Sequence, residues 1–278
     1  MDLLTKIISC KEEELKEVIN GAVIKIIQTS EQKEKLGFVD VTTAITLHKG
    51  FINPDTKIQY SKGSVFNYSM KTTDFYYEFA KYIKKIKINN IGNLIKEIET
   101  FINYYFGVNK DDRDNRDDYL FSITLGATSD DDEAWDKINN LEIGNFKGKR
   151  VAMCTEKASL AQNLISLFGI ESYWCMGYLN NDGKIEPHCF NIARAKKSYI
   201  LLDYSVPCQV IQDNKVNDWA PFQGEISLSE LEEILNGKPK EYINYTYSIK
   251  NNQLNKIYND TTRTYEIDNY QLNKNKSR

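Results

Sequence analysis

The sequence of 278 residues contains no apolar run that approaches the roughly 18 residues a membrane-spanning helix needs. It also carries little net charge, because 36 lysines and arginines stand against 39 aspartates and glutamates. Such a balance provides no overall basic field to hold nucleic acid or an anionic membrane surface. We therefore expect neither nucleic acid nor a membrane among the partners, and the sequence does not indicate an oligomeric state.

Cysteine is scarce as well, with five residues that form no paired spacing motif. An odd, unpaired set argues against a disulfide framework and for a reducing compartment. The first residues lack the apolar stretch and the small-residue cleavage site of a secretory signal. We expect a cytoplasmic protein, and a leaderless exported effector would have the same features.

Signals for a metal or a cofactor are absent too. No CxxC pair predicts zinc, and the acidic segment 110–118 lacks the oxygen-ligand spacing and the turn glycine of a calcium loop. Aromatic residues recur at helical spacing within 73–86 and 93–106, which predicts core-facing helix sides rather than a cofactor site. The sequence therefore predicts no metal and no cofactor.

Cys154 begins a segment that predicts a helix over 154–168. The apolar residues of this segment recur on one helical stripe: Ala158, Ala161, Ile165 and Phe168. Gly169 then stands where a C-terminal cap belongs. At the first turn of a helix, backbone N–H groups and the positive end of the dipole favour a thiolate and can help to hold an oxyanion. Cys154 is therefore a candidate nucleophile.

Three strands are predicted after this helix, over 171–178, 186–193 and 198–203. The turn 180–183 (NNDG) is typical of a hairpin, and 194–197 (RAKK) can close a second hairpin as a four-residue loop. If Ala193 faces Ser198, then His188 faces Asp203 on the same side of the sheet, with Cβ atoms about 5 Å apart. A carboxylate there can hold the imidazole in the tautomer that receives a thiol proton.

The residues that follow Asp203 include Pro207 and Pro221, and they are predicted to form a linker. A short helix is expected within 227–237, capped by a serine and stopped by Gly237. Two strands are expected over 242–250 and 262–267.

A simpler structural explanation also exists for each of the three candidates, Cys154, His188 and Asp203. A lone cysteine at a helix start is usually a small core residue, a strand histidine is usually only hydrogen-bonded, and an aspartate at a strand end is commonly a turn former. However, only two histidines exist, and His188 follows Cys154 by 34 positions (188 − 154). Asp203 follows after 15 more (203 − 188). This order, a helix and then a meander of strands, favours thiol chemistry.

The run CTEKASLAQNLISLFGIESYWCMGY, which begins at Cys154, resembles the core of transglutaminase-like proteins. The downstream runs HCFNIA and YILLDYSVP are similar to that family's histidine and aspartate strands. The resemblance covers about 149–207, under a quarter of the chain. It implies an α+β fold with a papain-like core, in which a cysteine at a helix N-terminus packs on an antiparallel sheet that carries the histidine and the aspartate. It further implies Cys154 as nucleophile, His188 as general base and then acid, and Asp203 as orienting group.

The sequence departs from the family pattern near the oxyanion hole. The family commonly has a tryptophan two places after the histidine, where this chain has Phe190. Papain-like enzymes often carry an oxyanion-binding glutamine six places before the cysteine, where Gly148 stands. Trp135 and Asn145 are the alternative candidates for that donor.

These observations predict a cysteine-dependent enzyme that acts on amide or acyl bonds through a thioester, as a peptidase, amidase or transamidase with a peptide or protein amide substrate. We expect a single catalytic domain over 1–278 with its core at about 95–210. A helical and strand elaboration would occupy 1–94, and a helix-plus-strand extension would occupy 211–270.

Two alternatives stay open. One is an acyltransferase of the arylamine N-acetyltransferase kind, which uses a similar order of cysteine, histidine and aspartate. The usual Arg-Gly-Gly approach to the cysteine is absent, since 149–153 reads KRVAM. The other is a catalytically inactive transglutaminase-like binding module.

Overall fold

The computed structural model describes residues 2–34, 47–59, 67–71, 74–86, 88, 90–107, 119, 122, 141–181, 183–195, 197–212, 215–250 and 253–267. The described helices are α1 (Asp2–Ser9), α2 (Leu15–Glu34), α3 (Asp74–Ile83), α4 (Ile91–Phe106), α5 (Cys154–Leu167) and α6 (Leu228–Leu235), with a 3₁₀ helix at Ile143–Phe146. The described strands are β1 (Leu47–Lys49), β2 (Lys57–Gln59), β3 (Asn67–Ser69), β4 (Leu141–Glu142), β5 (Ser172–Asn181), β6 (Lys184–Ala195), β7 (Ser198–Gln212), β8 (Lys215–Ile226), β9 (Lys240–Lys250) and β10 (Gln253–Ile267). The predicted α+β class is confirmed as a mixture of helices with a curled, mostly antiparallel sheet.

The chain divides into two compact units. The first comprises Met1–Ile45 and Gly50–Ile170, and the second comprises Thr46–Lys49 and Glu171–Arg278. The division at Ile170 falls inside the segment 95–210 that the sequence predicts as one core. It lies directly after the helix that begins at Cys154 and before the strands that carry His188 and Asp203.

The first unit holds α1 to α5 and a small sheet in which β3 pairs antiparallel with β2 and parallel with β4. Its core confirms the aromatic stripes that the sequence predicts for α3 and α4. The ring of Phe79 on α3 lies 5.1 Å from that of Phe101 on α4 and 5.8 Å from that of Phe168, which follows α5. Asn90 caps α4 by accepting the backbone N–H of Asn93 at 2.9 Å.

Helix α5 is the centre of the first unit. Its predicted apolar stripe is confirmed as buried, but the polar residues on its other sides are buried as well. Polar partners satisfy them: the Ser159 hydroxyl lies 2.7 Å from that of Tyr68. Asn163 accepts the backbone N–H of Ile52 at 2.7 Å and donates to the Tyr76 hydroxyl at 2.7 Å. Because a buried polar group without a partner is costly, these bonds let a weakly amphipathic helix occupy a core position.

The second unit is a seven-stranded sheet with helix α6. Its pairings run in the order β1, β5, β10, β9, β7 and β6, with β8 added to the outer edge of β7 and β5 also paired to β6. Strand β6, at the end of this order, also pairs with β5. The described strands β5, β10, β9, β7 and β6 therefore form a closed ring. One side of β5, β6, β7 and β10 carries an apolar cluster that includes Leu231 and Ile234 of α6.

Several sequence predictions for these strands need correction. Residues that follow Asp203 do not form a linker, because β7 continues to Gln212 and pairs along its length with β8. Pro207 and Pro221 lie opposite each other in that ladder, at a register shift. In the first unit, the N-terminal residues form two helices, α1 and α2, and α2 runs through Gly21 without a break. A glycine costs a helix only about 1 kcal/mol, which neighbouring residues can offset.

A charged network ties the start of β5 to three other strands. The carboxylate of Glu171 accepts two hydrogen bonds here: one from Nζ of Lys49, on β1, at 2.7 Å, and one from the hydroxyl of Tyr173, on β5, at 3.0 Å. It also accepts a hydrogen bond from the guanidinium of Arg194, on β6, at 3.2 Å, and one from the hydroxyl of Tyr199, on β7, at 3.0 Å. The hydrogen bond from Lys49 is the main cause that lowers the pKa of Glu171 to about 2.

We predict that Glu171→Gln lowers the free energy of unfolding at pH 7 by about 1 to 2 kcal/mol, because the amide loses the charge that its four donors share. The folded pKa of Glu171 is about 2, and the unfolded value is about 4.3. This stabilisation is therefore complete above about pH 5 and is lost as the pH falls toward 2. Urea unfolding at pH 7 and at pH 3 measures it, and the gap between variant and wild type should shrink at pH 3.

Glu186→Gln is the matched control for that experiment. Glu186 lies on β6 in a longer, more exposed ion pair with Lys184 at 3.7 Å, so its loss should change stability by less than about 0.5 kcal/mol. A gap for Glu171→Gln that is the same at both pH values would show that the network does not act through the carboxylate charge.

Candidate active site

His188 lies in the middle of β6, with Gly177 of β5 directly opposite. Its side chain is 5% exposed and lies on the side of the sheet that carries the apolar cluster, since Phe190 and Ile192 share its parity along the strand. A buried histidine in apolar surroundings needs a polar partner to hold its ring.

That partner is Asp203 on β7, which is completely buried. Its Oδ2 atom lies 2.7 Å from Nε2 of His188, so the structure brings the two predicted residues together. The same oxygen accepts the hydroxyl of Tyr265 at 2.8 Å, and Oδ1 accepts the backbone N–H of Ser205 at 2.9 Å. The carboxylate thus has three donors from three sources.

The predicted register between β6 and β7 was wrong by two residues. Ala193 pairs with Ile200 rather than with Ser198, because the hairpin loop has two residues instead of four. An even shift keeps His188 and Asp203 on the same side of the sheet, but it places them diagonally rather than opposite each other. The β7–β8 ladder shifts register directly after Asp203, where the Ser205 N–H turns back to the carboxylate.

The electrostatics of Asp203 determine how the imidazole is held. Burial alone would raise the pKa of Asp203, but the charge of His188 and the three hydrogen bonds outweigh it and hold the pKa below the ordinary aspartate value. The carboxylate is therefore ionised and can only accept. His188 must then donate through Nε2–H, which leaves the lone pair of the neutral ring on Nδ1, the atom that can take a proton.

Cys154 is the first residue of α5 and belongs to the first unit. Met153 before it is extended, and its backbone N–H donates to the Glu156 carboxylate at 2.8 Å, which secures the first turn. The half-buried sulfur lies 3.9 Å from the Thr155 hydroxyl. The prediction that Cys154 begins a helix is confirmed, and this end of the helix dipole favours a thiolate.

The segment before Cys154 is anchored to the end of α4. The backbone N–H of Gly148 donates to the Tyr105 carbonyl at 2.9 Å, and that of Arg150 donates to the Phe106 carbonyl at 3.1 Å. Gly148 has φ 64°, in the left-handed region that favours glycine. A residue with a side chain, such as glutamine, would be strained at this position.

The three secondary candidates have different positions. Trp135 lies outside the described residues. Asn145 is in the 3₁₀ helix, where its side-chain oxygen accepts the backbone N–H of Glu142 at 2.6 Å, a capping role. Phe190 is fully buried, and its ring meets that of Tyr265 edge to face with centroids 5.3 Å apart.

Sequence reasoning missed Tyr265 and Gly177. A Cβ atom on Gly177 would overlap the backbone carbonyl oxygen of Glu266, so only glycine permits β10 to approach β5 this closely. That approach brings Tyr265 to Asp203. The alternating residues near 265 predict a strand, but no local signal links a tyrosine to an aspartate 62 positions away.

The other described cysteines divide by burial. Cys175 and Cys189 are buried on β5 and β6, and burial raises the pKa of Cys175 far above its usual range. Cys10, at the end of α1, is half-buried, as is Cys154. Among the described cysteine side chains, only Cys10 and Cys154 are therefore open to reagents.

No protein-family model, curated protein or solved structure matches this chain. Among the described residues, no group of three or more histidine, cysteine, aspartate or glutamate side chains is arranged to hold a metal ion. No helix in the described part of the chain has the length and apolarity that crossing a membrane requires.

We predict that Asp203→Asn reverses the tautomer of His188. The backbone N–H of Ser205 can only donate, so the amide oxygen would take the place of Oδ1 and accept it. The NH₂ group would then take the place of Oδ2, face Nε2 and move the ring proton to Nδ1. Nitrogen-15 NMR of histidine-labelled protein measures the tautomer, and the chain has only two histidines to assign.

The wild-type spectrum should show the Nε2–H form of neutral His188, and the variant should show the Nδ1–H form. His48 serves as the internal control, because its signals should not change. An Nε2–H tautomer that persists in Asp203→Asn would mean that the carboxylate does not set the ring's protonation.

Proposed function

We propose that this chain is a thiol-dependent enzyme of the transglutaminase-like kind, with a papain-like core, that acts on carboxamide or peptide bonds. Cys154 is the nucleophile, His188 is its general base and then its general acid, and Asp203 orients the imidazole. The observation that carries the proposal is the buried bond between His188 Nε2 and Asp203 Oδ2 at 2.7 Å.

A purely structural role explains this pair poorly. Removing an imidazole and a carboxylate from water costs several kcal/mol, and apolar residues of similar size often stabilise a core as well or better. Here the pair lies on the side of the sheet that carries an apolar cluster, a setting in which an apolar pair would be expected to pack. Retaining it is consistent with chemistry that needs an oriented base.

The position of Cys154 gives a second, independent support. Of the two described thiols that are not buried, this one begins a helix of 14 residues, whereas Cys10 follows the end of a helix. The positive end of the dipole stabilises a thiolate at a helix start, and the negative end disfavours one.

In the proposed reaction the Cys154 thiol gives its proton to Nδ1 of His188, and the sulfur attacks the substrate carbonyl carbon. The tetrahedral intermediate collapses as the imidazolium returns this proton to the departing amine, which leaves a thioester on Cys154. Water or a second amine then attacks the thioester and gives a proton to His188. The C–S bond breaks, the acid or the new amide is released, and the imidazolium returns its proton to the Cys154 sulfur. Hydrolysis and transamidation share the first half and differ only in the acceptor.

We predict that limiting iodoacetamide at pH 6.5 alkylates Cys154 at least about tenfold faster than Cys10, because alkylation requires the thiolate. Peptide mapping by mass spectrometry measures both sites in one sample. A reactive ester or a glutamine-containing peptide should further leave a hydroxylamine-sensitive mass on Cys154.

Cys10→Ala is the matched control and should leave both the labelling and the acyl adduct unchanged, whereas Cys154→Ala should abolish the adduct. Equal labelling of Cys10 and Cys154, with no adduct from esters or amides, would contradict the proposal and favour a module that retains the fold without its chemistry.

A further inference from the structure

We propose that Tyr265 is a positioning residue for the His188–Asp203 pair, supplied by the C-terminal strand β10. Its hydroxyl donates to Oδ2 of Asp203 at 2.8 Å, the same oxygen that accepts Nε2–H of His188 at 2.7 Å. This inference rests on the proposed function, because it assigns Tyr265 to the pair that serves as base and orienting group.

The ring and the hydroxyl of Tyr265 make different interactions: the ring packs among apolar residues, and the hydroxyl bonds to Asp203. The ring is completely buried in the apolar cluster and meets Phe190 edge to face, at 5.3 Å and 68°. A phenylalanine would make the same ring contacts, so apolar packing does not account for the oxygen. The bond to Asp203 does.

The geometry of the approach supports a specific arrangement. Tyr265 pairs with Leu179 of β5, and β10 lies close to β5 because Gly177 has no side chain. Gly177 is also the residue opposite His188. One glycine of β5 therefore lies between the strand that carries the phenol and the strand that carries the imidazole.

Two consequences follow from a phenol on Oδ2. With Ser205 on Oδ1, it holds the carboxylate at both oxygens, so that the carboxylate cannot rotate away from the imidazole. Its O–H dipole also points its positive end at the carboxylate, which reduces the negative potential at His188 and disfavours the imidazolium. Tyr265 would thus keep the base oriented and prevent it from becoming too basic.

Other titratable groups on this side of the sheet are few in the described part of the chain. Cys175 of β5 shares the side that carries His188, and so do Lys184 and Glu186 of β6, which form an ion pair at 3.7 Å. Glu171 with Tyr173 and Tyr199 lies at the other end of the same cluster, where Tyr173 pairs with Ile192. Asp203 and Tyr265 are the two whose bonds form a continuous chain with the imidazole.

We predict that Tyr265→Phe raises the midpoint of the His188 titration by about 0.5 to 1 on the pH scale, because the carboxylate loses a donor and becomes more negative toward the ring. Nitrogen-15 NMR of histidine-labelled protein measures the midpoint, with His48→Gln to assign the signals. No substrate is needed, so this result does not depend on the thiol labelling and acyl-adduct experiments that test the proposed function.

Tyr199→Phe is the matched control. It removes the partly buried hydroxyl of another tyrosine of the same apolar cluster, and that hydroxyl donates to Glu171 at 3.0 Å rather than to Asp203. The midpoint should not move in this variant. No shift in Tyr265→Phe, or equal shifts in the two variants, would overturn the proposal.

A variant with difluorotyrosine at position 265 keeps the test available if Tyr265→Phe does not fold. A fluorinated phenol is more acidic and a stronger donor, so the His188 midpoint should move to lower pH, opposite to the phenylalanine variant. An unchanged or higher midpoint with difluorotyrosine would also overturn the proposal.

Discussion

A buried negative charge on Asp203 is the constraint around which the second unit is arranged. A carboxylate out of water is tolerated only when donors surround it, and Asp203 has three, from His188, Tyr265 and the backbone of Ser205. These donors come from β6, β10 and β7. The carboxylate therefore connects strands that are far apart in sequence, and each donor depends on a particular feature of the sheet.

Closure of the sheet supplies the two distant donors. The short hairpin between β6 and β7 sets a register that places His188 diagonally from Asp203, and the pairing of β10 on β5 brings Tyr265 from the other side. Gly177 permits that pairing, since any side chain there would overlap the backbone of β10. In this way the C-terminal extension joins the sheet of the candidate site rather than standing apart from it.

The sequence predicts the local elements well and the long-range contacts poorly. The helix from Cys154 and the first hairpin follow from apolar spacing, from Gly169 and from the turn at 180–183, and the structure confirms them. The second hairpin was predicted with a four-residue loop, 194–197. The sequence there fits a two-residue loop equally well, and β6 continues through Arg194 and Ala195. The Tyr265–Asp203 bond has no local signature, because it depends on how distant strands close.

The proposed chemistry requires that the Cys154 thiolate depend on His188. The direct measurement is the pH profile of Cys154 alkylation in wild type, in His188→Gln and in the matched control His48→Gln. We predict a midpoint at least one pH unit below the value of about 8.5 for a free cysteine in wild type and in His48→Gln. In His188→Gln it should return toward that value. Identical profiles for all three proteins would contradict the pairing of this thiol with this imidazole.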